Sequence, residues 1–382
     1  MDFELTEEQS AIYDMAREFA DENIAPHAIE WDRTETFPVD TMRQAAELGM
    51  AGIYAGEEYG GTSLSRLDAT LIFEALSHGC PTVAAFISIH NMCTWMIDSF
   101  ASDEQRAHWV PKLCTMETIA SYCLTEPGSG SDAAALRTKA EMQGNEIVLN
   151  GTKAFISGGG HSDLYLVMAR TGADGPKGIS SVLVEKDTPG LSFGASENKM
   201  GWNAQPTAQV QFDDCRVPPT NLMGEEGKGF TYAMMGLDGG RLNIAACALG
   251  AAQSALDKAT RYMHERSAFG KPIASFQALQ FKLADMEIEL QAARTFLRQA
   301  AWKLDRKTPD ATRFCAMAKC FVTDRAFNAA NEALQIHGGY GYLADYGIEK
   351  IVRDLRVHQI LEGTNEIMRV IVSRQLLEAA KP

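Results

Sequence analysis

An α+β fold in three parts, helices then strands then helices, is predicted by three observations. Residues 1–118 carry apolar positions at helical spacing, residues 119–229 break into short β-branched runs between turn residues, and residues 230–382 return to long Ala/Leu/Glu/Lys/Arg-rich stretches. At 382 residues and 41.7 kDa the chain also exceeds one ordinary domain of about 150 residues.

Thr6 with Gln9 three positions on has capping-box spacing, and Ile12, Met15 and Phe19 then fall on one helical face that Pro26 ends. Further helices are read over residues 40–48, 65–77 and 82–100, punctuated by Gly49, Gly60-Gly61 and the 79–81 turn. The last is apolar nearly all round, which predicts a buried helix. An antiparallel β domain follows, with strands over 120–125, 138–142, 146–149, 164–169, 179–185 and 209–212 and turns at Gly144-Asn145, Asn150-Gly151, 172–178 and Pro189-Gly190. Helices over 230–264, 276–304, 310–336 and 364–377 form the final part.

The formal charge of −15 argues against a general affinity for nucleic acid or anionic membrane, because phosphate binding needs a basic field. A polyanionic ligand must therefore meet a few placed groups, of which Arg241, Arg266 and the helix start at Thr364 are the candidates. Cys80, Cys93, Cys114, Cys123, Cys215, Cys247, Cys315 and Cys320 are scattered without C-x-x-C spacing, which reads as buried thiols in a reducing compartment rather than disulfides or zinc ligands. No metal site is expected. No apolar run approaches the roughly 18 residues of a membrane span, and no leader pattern opens the chain. The expected location is the bacterial cytoplasm, or the mitochondrial matrix if a leader has been removed.

Four segments can carry chemistry. Residues 122–132 (YCLTEPGSGSD) run from a strand into a Gly/Ser loop whose backbone N–H groups can meet a heteroaromatic edge or a phosphate. Gly128-x-Gly130-x-x-Ala133 mimics a dinucleotide fingerprint, but strands rather than a helix follow it. Residues 150–160 (NGTKAFISGGG) read as a tight turn, a strand and a glycine run. Residues 236–241 (GLDGGR) place Gly239, Gly240 and Arg241 on a long helix, where a ligand can come close. In residues 358–366 (HQILEGTNE), Glu362 lies between an apolar pair and Gly363. Such surroundings raise a carboxyl from about 4.3 toward the roughly 6–7 of a general base. Taken alone, the position also suits an ordinary capping carboxylate.

Together and in order, these segments resemble the acyl-CoA dehydrogenase family over essentially the whole chain. Residues 122–132 are similar to its flavin motif, and residues 335–341 (QIHGGYG) with 360–364 (ILEGT) to its C-terminal signature. The resemblance implies an N-terminal helical domain, a middle β domain and a C-terminal four-helix domain. It also implies one FAD per subunit of a homotetramer, an acyl-CoA substrate and electron-transferring flavoprotein as electron acceptor. In that family a glutamate removes the α-proton and a hydride passes from the β-carbon to flavin N5.

Carried over by residue, Glu362 matches the catalytic base. Some relatives place that base just before the arginine of the third segment, but here the position is Gly240, which cannot serve. Tyr122, Cys123, Leu124, Thr125, Gly130, Ser131, Phe155, Ile156 and Ser157 match the flavin-lining segments, Ser131 also touching CoA. Arg266, Phe269, Phe276, Gln277, Gln335, Ile336, His337, Gly338 and Gly339 match the adenine half of FAD, partly from a neighbouring subunit. Thr364, Asn365 and Glu366 match a further FAD contact at a helix start. Asp238, Gly239, Gly240, Arg241 and Gly363 match substrate-binding positions, with Arg374 as another candidate.

Residues 88–100, 201–207, 237–244 and 356–362 resemble the branch of the family that acts on short α-branched thioesters, implying isobutyryl-CoA oxidised to methacrylyl-CoA in valine catabolism. An α-methyl substrate needs room beside the base and little depth, and Trp95 or Met92 on the buried helix are candidates to close the pocket. Open alternatives are a butyryl- or 2-methylbutyryl-CoA substrate, an oxidase or monooxygenase on the same fold, and a non-catalytic acyl-CoA binding or helical assembly protein.

Overall fold

The computed structural model describes residues 4–381. Six helices open the chain: α1 (Glu7–Phe19), α2 (Ala28–Thr34), α3 (Val39–Glu47), α4 (Arg66–Gly79), α5 (Pro81–Phe100) and α6 (Asp103–Cys114). The predicted capping box at α1 forms, Thr6 accepting from the Gln9 N–H at 3.1 Å. One π-helical turn (Ala20–Ile24) precedes Pro26. As its composition predicted, α5 is buried along most of its length. Sequence periodicity did not single out α6, which has Pro111 inside it, although Ser102 and Gln105 supply a second capping box.

The sheet comprises β1 (Ala120–Cys123), β2 (Lys139–Gln143), β3 (Glu146–Ser157), β4 (Leu164–Arg170), β5 (Ile179–Glu185), β6 (Leu191–Phe193), β7 (Thr207–Val217) and β8 (Leu222–Met223). Its order is β6-β7-β3-β2-β4-β5-β8, largely antiparallel, with β1 along its length and β2 at Lys139 joining β4 in parallel. Because β1 arrives from the helical part rather than through a hairpin, antiparallel pairing is not imposed on it. The turn expected at Asn150-Gly151 does not form; β3 runs straight through it. There the ladder with β7 slips by a bulge, Gly151 taking φ 148° where a Cβ would lie 2.6 Å from Thr138 Oγ1.

The C-terminal part holds α7 (Gly229–Glu265), a two-stranded β9–β10 ribbon (Ser267–Ala268, Lys271–Pro272), α8 (Gln277–Asp305), α9 (Ala311–His337), α10 (Ile348–Arg356) and α11 (Asn365–Ala379). Helix α7 is the spine. Its small residues are buried almost continuously from Gly236 to Ala252, so α4, α5, α8 and α9 can approach its backbone. At Gly250 a Cβ would overlap the Glu74 carbonyl oxygen of α4, so this crossing requires glycine. Asp354 of α10 ties the parts together: it accepts from Lys350 Nζ at 2.6 Å, Trp202 N at 2.6 Å and Thr82 Oγ1 at 3.0 Å. Seven of the eight cysteines are buried and all are free thiols. No helix among the described residues is long and apolar enough to cross a membrane.

Candidate active site

Glu362 stands on an elbow between the turn Val357–Gln359 and α11. It adopts left-handed φ 53°, followed by Gly363 at φ 91°. A non-glycine residue there costs of order 1 kcal/mol, so other contacts must hold it. Three do. Arg241 Nε donates to the Glu362 carbonyl (3.4 Å), and Lys319 Nζ of α9 donates to the Gly363 carbonyl and to Asn365 Oδ1, each at 2.9 Å. Thr364, not Glu362, caps α11 by accepting from the Ile367 N–H. The capping role left open for the Glu362 carboxylate is therefore taken.

The Glu362 carboxyl lies over α7, in space that exists because residue 240 is glycine. A Cβ at Gly240 would overlap Oε2 and lie 3.1 Å from Cδ. That oxygen is sealed from solvent and finds no hydrogen-bond partner among the described residues. Burial raises the Glu362 pKa to about 7, while the Lys319 and Arg241 charges pull it back down. Lys319 is in turn lowered to about 8 by burial, with the Glu362 charge opposing. The carboxylate is also felt at Tyr54, Tyr122 and Cys247. A carboxyl titrating near neutrality, with one oxygen that no hydrogen bond claims, has the properties of a general base.

Arg241 is not the free cation that the sequence suggested for meeting an anionic ligand. It is buried and paired with Asp238 (Nη1 to Oδ1, 2.7 Å), whose other oxygen accepts from Thr312 Oγ1 at 2.6 Å. One turn of α7 brings the two into register, so they brace the elbow instead. Asn365 is likewise committed inward, to Lys319, Thr323 and Asp324. Glu366 and Arg374 are exposed on α11, and Arg374 has no ion-pair partner within reach among the described residues.

The Gly/Ser loop after β1 is pinned from beneath. Glu126 accepts from the Arg137 and Thr138 N–H groups (2.7 and 2.8 Å) and forms a buried ion pair with Lys153 Nζ at 2.8 Å. Lys153 also donates to the Leu124 carbonyl at 3.0 Å. Sequence reading passed over both residues. Their signal is a charge inside each of two otherwise small or apolar motifs, 27 positions apart, and nothing local pairs them. Above this anchor the loop is open: a Cβ at Gly128 or Gly130 would meet nothing within 4 Å, and Ser131 is exposed. These glycines are not demanded by internal packing and leave backbone available to a ligand.

Further along β3 the pairing shifts again between Lys153 and Ile156, and Phe155 takes φ 58° with its ring 69% exposed. Ile156 is buried and Ser157 half-buried beside it. Tyr122, within β1, has a buried hydroxyl with no partner among the described residues. Trp202 packs edge-on against His358, and both carry a similarly unsatisfied ring nitrogen. An exposed ring on a strained bulge and an open amide loop fit the face and edge of a flat heteroaromatic group.

A second region lies around the end of α9. A cavity of about 480 Å³ is lined by Tyr262, Arg266, Ile336, His337, Gly338, Gly339 and Tyr340 among others. His337 stacks on Tyr262 at 4.4 Å, and Arg266 lies over the Tyr340 ring at 5.5 Å. Phe269 is 95% exposed at the tip of the β9–β10 ribbon, with Phe276 6.0 Å away. Gln277 and Gln335 are exposed nearby in sequence. Stacking rings and one guanidinium are suited to a nucleobase and its phosphates. None of the residues lining this cavity belongs to the Glu362 cluster.

Profiles of known families match in three consecutive pieces: acyl-CoA dehydrogenase N-terminal domain over residues 6–117, middle domain over 121–215 and C-terminal domain over 227–377. Isobutyryl-CoA dehydrogenase, mitochondrial, from Bos taurus is 57% identical over 374 residues, 98% of this chain and 90% of that protein. The protein of the same name from Dictyostelium discoideum is 57% identical over 373 residues, 97% and 90% of the two chains. Among solved structures, butyryl-CoA dehydrogenase from Megasphaera elsdenii superposes with a TM-score of 0.95 at 38% identity, covering 99% of this chain and 100% of that one.

Proposed function

The chain belongs to the acyl-CoA dehydrogenase family and is an FAD-dependent enzyme of acyl-CoA dehydrogenation, and from that premise we propose that its substrate is isobutyryl-CoA and its base Glu362. The observation that carries the assignment of the base is the Glu362 carboxyl, raised to about 7 and seated in the volume left by Gly240. The relatives from Bos taurus and Dictyostelium discoideum support the branched substrate.

On this reading the Glu362 carboxylate takes the α-proton of the thioester. Acidity at that carbon depends on stabilising enolate charge at the thioester oxygen, a role for the Glu362 backbone N–H on the left-handed elbow. Arg241 and Lys319 hold the elbow, and the seat over Gly240 keeps water from Oε2. Bound FAD supplies the acceptor for the hydride that leaves the β-carbon, giving methacrylyl-CoA. Residues 122–125, 130–131 and 155–157 would hold its ring. Arg266, Phe269, Phe276, Gln277 and residues 335–339 would hold an adenine half, and Thr364 to Glu366 a further part.

Membership of the family supports a homotetramer in which each FAD spans two subunits. Electron-transferring flavoprotein is the proposed partner for reoxidation, in a step of valine breakdown. Ser131, the 238–241 turn of α7, Gly363 and Arg374 are proposed substrate contacts, Asp238 and Arg241 acting through the elbow they brace.

The test is anaerobic bleaching of the purified yellow protein by a panel of acyl-CoA thioesters. Isobutyryl-CoA should reduce the flavin faster than butyryl-CoA or 2-methylbutyryl-CoA. A faster reaction with either of the others would reassign the substrate, and a colourless protein that takes up no FAD would remove the enzymatic reading.

A further inference from the structure

The glycines of α7 form a bare strip at residues 236, 239 and 240, and three elements fill the space above it. A Cβ at Gly236 would lie 2.8 Å from Met96 Sδ and 3.5 Å from Met92 Cγ of α5. At Gly240 the occupant is the Glu362 carboxyl. At Gly239 it is the Arg66 guanidinium, which a Cβ would overlap at Nη1 while standing 2.9 Å from Cζ. Base and guanidinium thus rest over consecutive glycines of one helix.

Arg66 is held there by design of its surroundings rather than by an ion pair. Its backbone N–H and that of Leu67 donate to the Asp305 carboxylate at 2.7 and 3.1 Å, fixing the start of α4. Its Cζ sits 3.6 Å from the Tyr54 ring centroid and 4.7 Å from that of Trp95, so the guanidinium is in cation–π contact with two rings. No carboxylate lies within ion-pair distance of it among the described residues. The stack is anchored at its far side, where Asn243 Nδ2 donates to Tyr54 Oη at 3.1 Å. Asn243 is three residues beyond Gly240, so Tyr54 crosses the same face of α7 one turn past the base. The Tyr54 phenol feels both the Arg66 and the Glu362 charge, in keeping with their seats over Gly239 and Gly240.

We propose that Tyr54, Arg66 and Trp95 form the wall that limits acyl length in this site, with Arg66 as the group that joins the two rings. The proposal rests on the assignment of Glu362 as base and adds the residues that set specificity. A flat guanidinium packed against two rings is stiff and weakly hydrated, so it can close an apolar pocket as a packed surface. A compact α-branched acyl group fits beside such a wall. A linear chain of six carbons must displace it, and misfit of one methylene is worth about 10- to 200-fold in a shaped pocket.

The experiment compares flavin reduction under anaerobic conditions by isobutyryl-, butyryl- and hexanoyl-CoA in wild type, Arg66→Ala, Arg66→Lys and Trp95→Ala, each purified with its FAD. Arg66→Ala should raise the hexanoyl-to-isobutyryl ratio of kcat/KM by about 10-fold or more. Arg66→Lys, which keeps the charge and loses the plane, should move the ratio the same way. If Arg66→Ala does not retain flavin, Trp95→Ala carries the comparison with the same expected direction. An unaltered ratio in flavin-loaded variants overturns the proposal while leaving the base untouched. Flavin reduction of wild type by glutaryl-CoA that disappears in Arg66→Ala would instead make Arg66 a receptor for a carboxylate. Failure of every short acyl-CoA to bleach wild type would refute the dehydrogenase reading itself, a result visible before any variant is made.

Discussion

Gly240 and Glu362 share one volume: a Cβ on the glycine would overlap Glu362 Oε2 and stand 3.1 Å from its Cδ. The base can occupy its seat only because α7 offers bare backbone there. Gly240→Ala should therefore leave the helix intact and push the carboxyl aside. Alanine is favoured over glycine in a helix by roughly 1 kcal/mol, so folding should not suffer from propensity. A displacement of about 1 Å can cost on the order of 100-fold in rate, and that is the loss expected in kcat with FAD content retained. Full activity in this variant would mean that the carboxyl has room elsewhere.

The pH dependence follows from the position of Glu362 near 7. Only the ionised form can accept a proton, so the rate of flavin reduction in the free enzyme should rise tenfold per unit below about pH 7 and level above it. Lys319 lowers the Glu362 pKa, so Lys319→Met should move this limb to higher pH. A limb that stays in place would show that Lys319 acts on the elbow by shape alone.

The same shift has a consequence for stability. The folded pKa of about 7 lies above the ordinary value of 4.5, so the folded state binds the extra proton between those two pH values. Its favourable contribution is complete below about pH 4.5 and is lost as pH rises through 7. Removing the carboxyl should then stabilise the protein at pH 8 by at most about 3 kcal/mol. Thermal denaturation of Glu362→Gln against wild type should show a higher midpoint at pH 8 and a gap that closes below pH 5. A gap that widens at low pH would contradict the raised pKa.

The Glu126–Lys153 pair should matter out of proportion to its size. Both side chains are buried, so Lys153→Met leaves a carboxylate without its counter-charge, a loss of about 3–5 kcal/mol. Replacing both, as Glu126→Gln with Lys153→Met, should recover part of that loss. Denaturant unfolding measures both; a single variant within about 1 kcal/mol of wild type would remove Lys153 as the anchor of the loop.

The helix, strand, helix order was legible because each part carries its own periodicity and because turn residues punctuate it. The elbow was legible as residue types, Glu362 beside apolar neighbours and ahead of Gly363. Local reading failed where a distant partner decides. Asn150-Gly151 has hairpin chemistry but serves a bulge because β7 continues the ladder on the other side. Arg241 looked like a free cation until the fold set Asp238 and the Glu362 carbonyl against it. Tyr54 and Arg66 lie among loop and cap residues, and their meeting with Trp95 depends on α4 and α5 crossing α7 together. Trp95 was marked as a pocket wall from its place on a buried helix, yet the guanidinium beside it has no signal in sequence.

Whether Glu362 removes the α-proton of a short branched thioester is decided by anaerobic flavin bleaching of Glu362→Gln with isobutyryl-CoA. The amide keeps the shape of the carboxyl and cannot accept the proton. Glu362→Gln should be a yellow protein whose flavin is reduced at least about 100-fold more slowly than in wild type. Bleaching at the wild-type rate would contradict this and place the base on another residue.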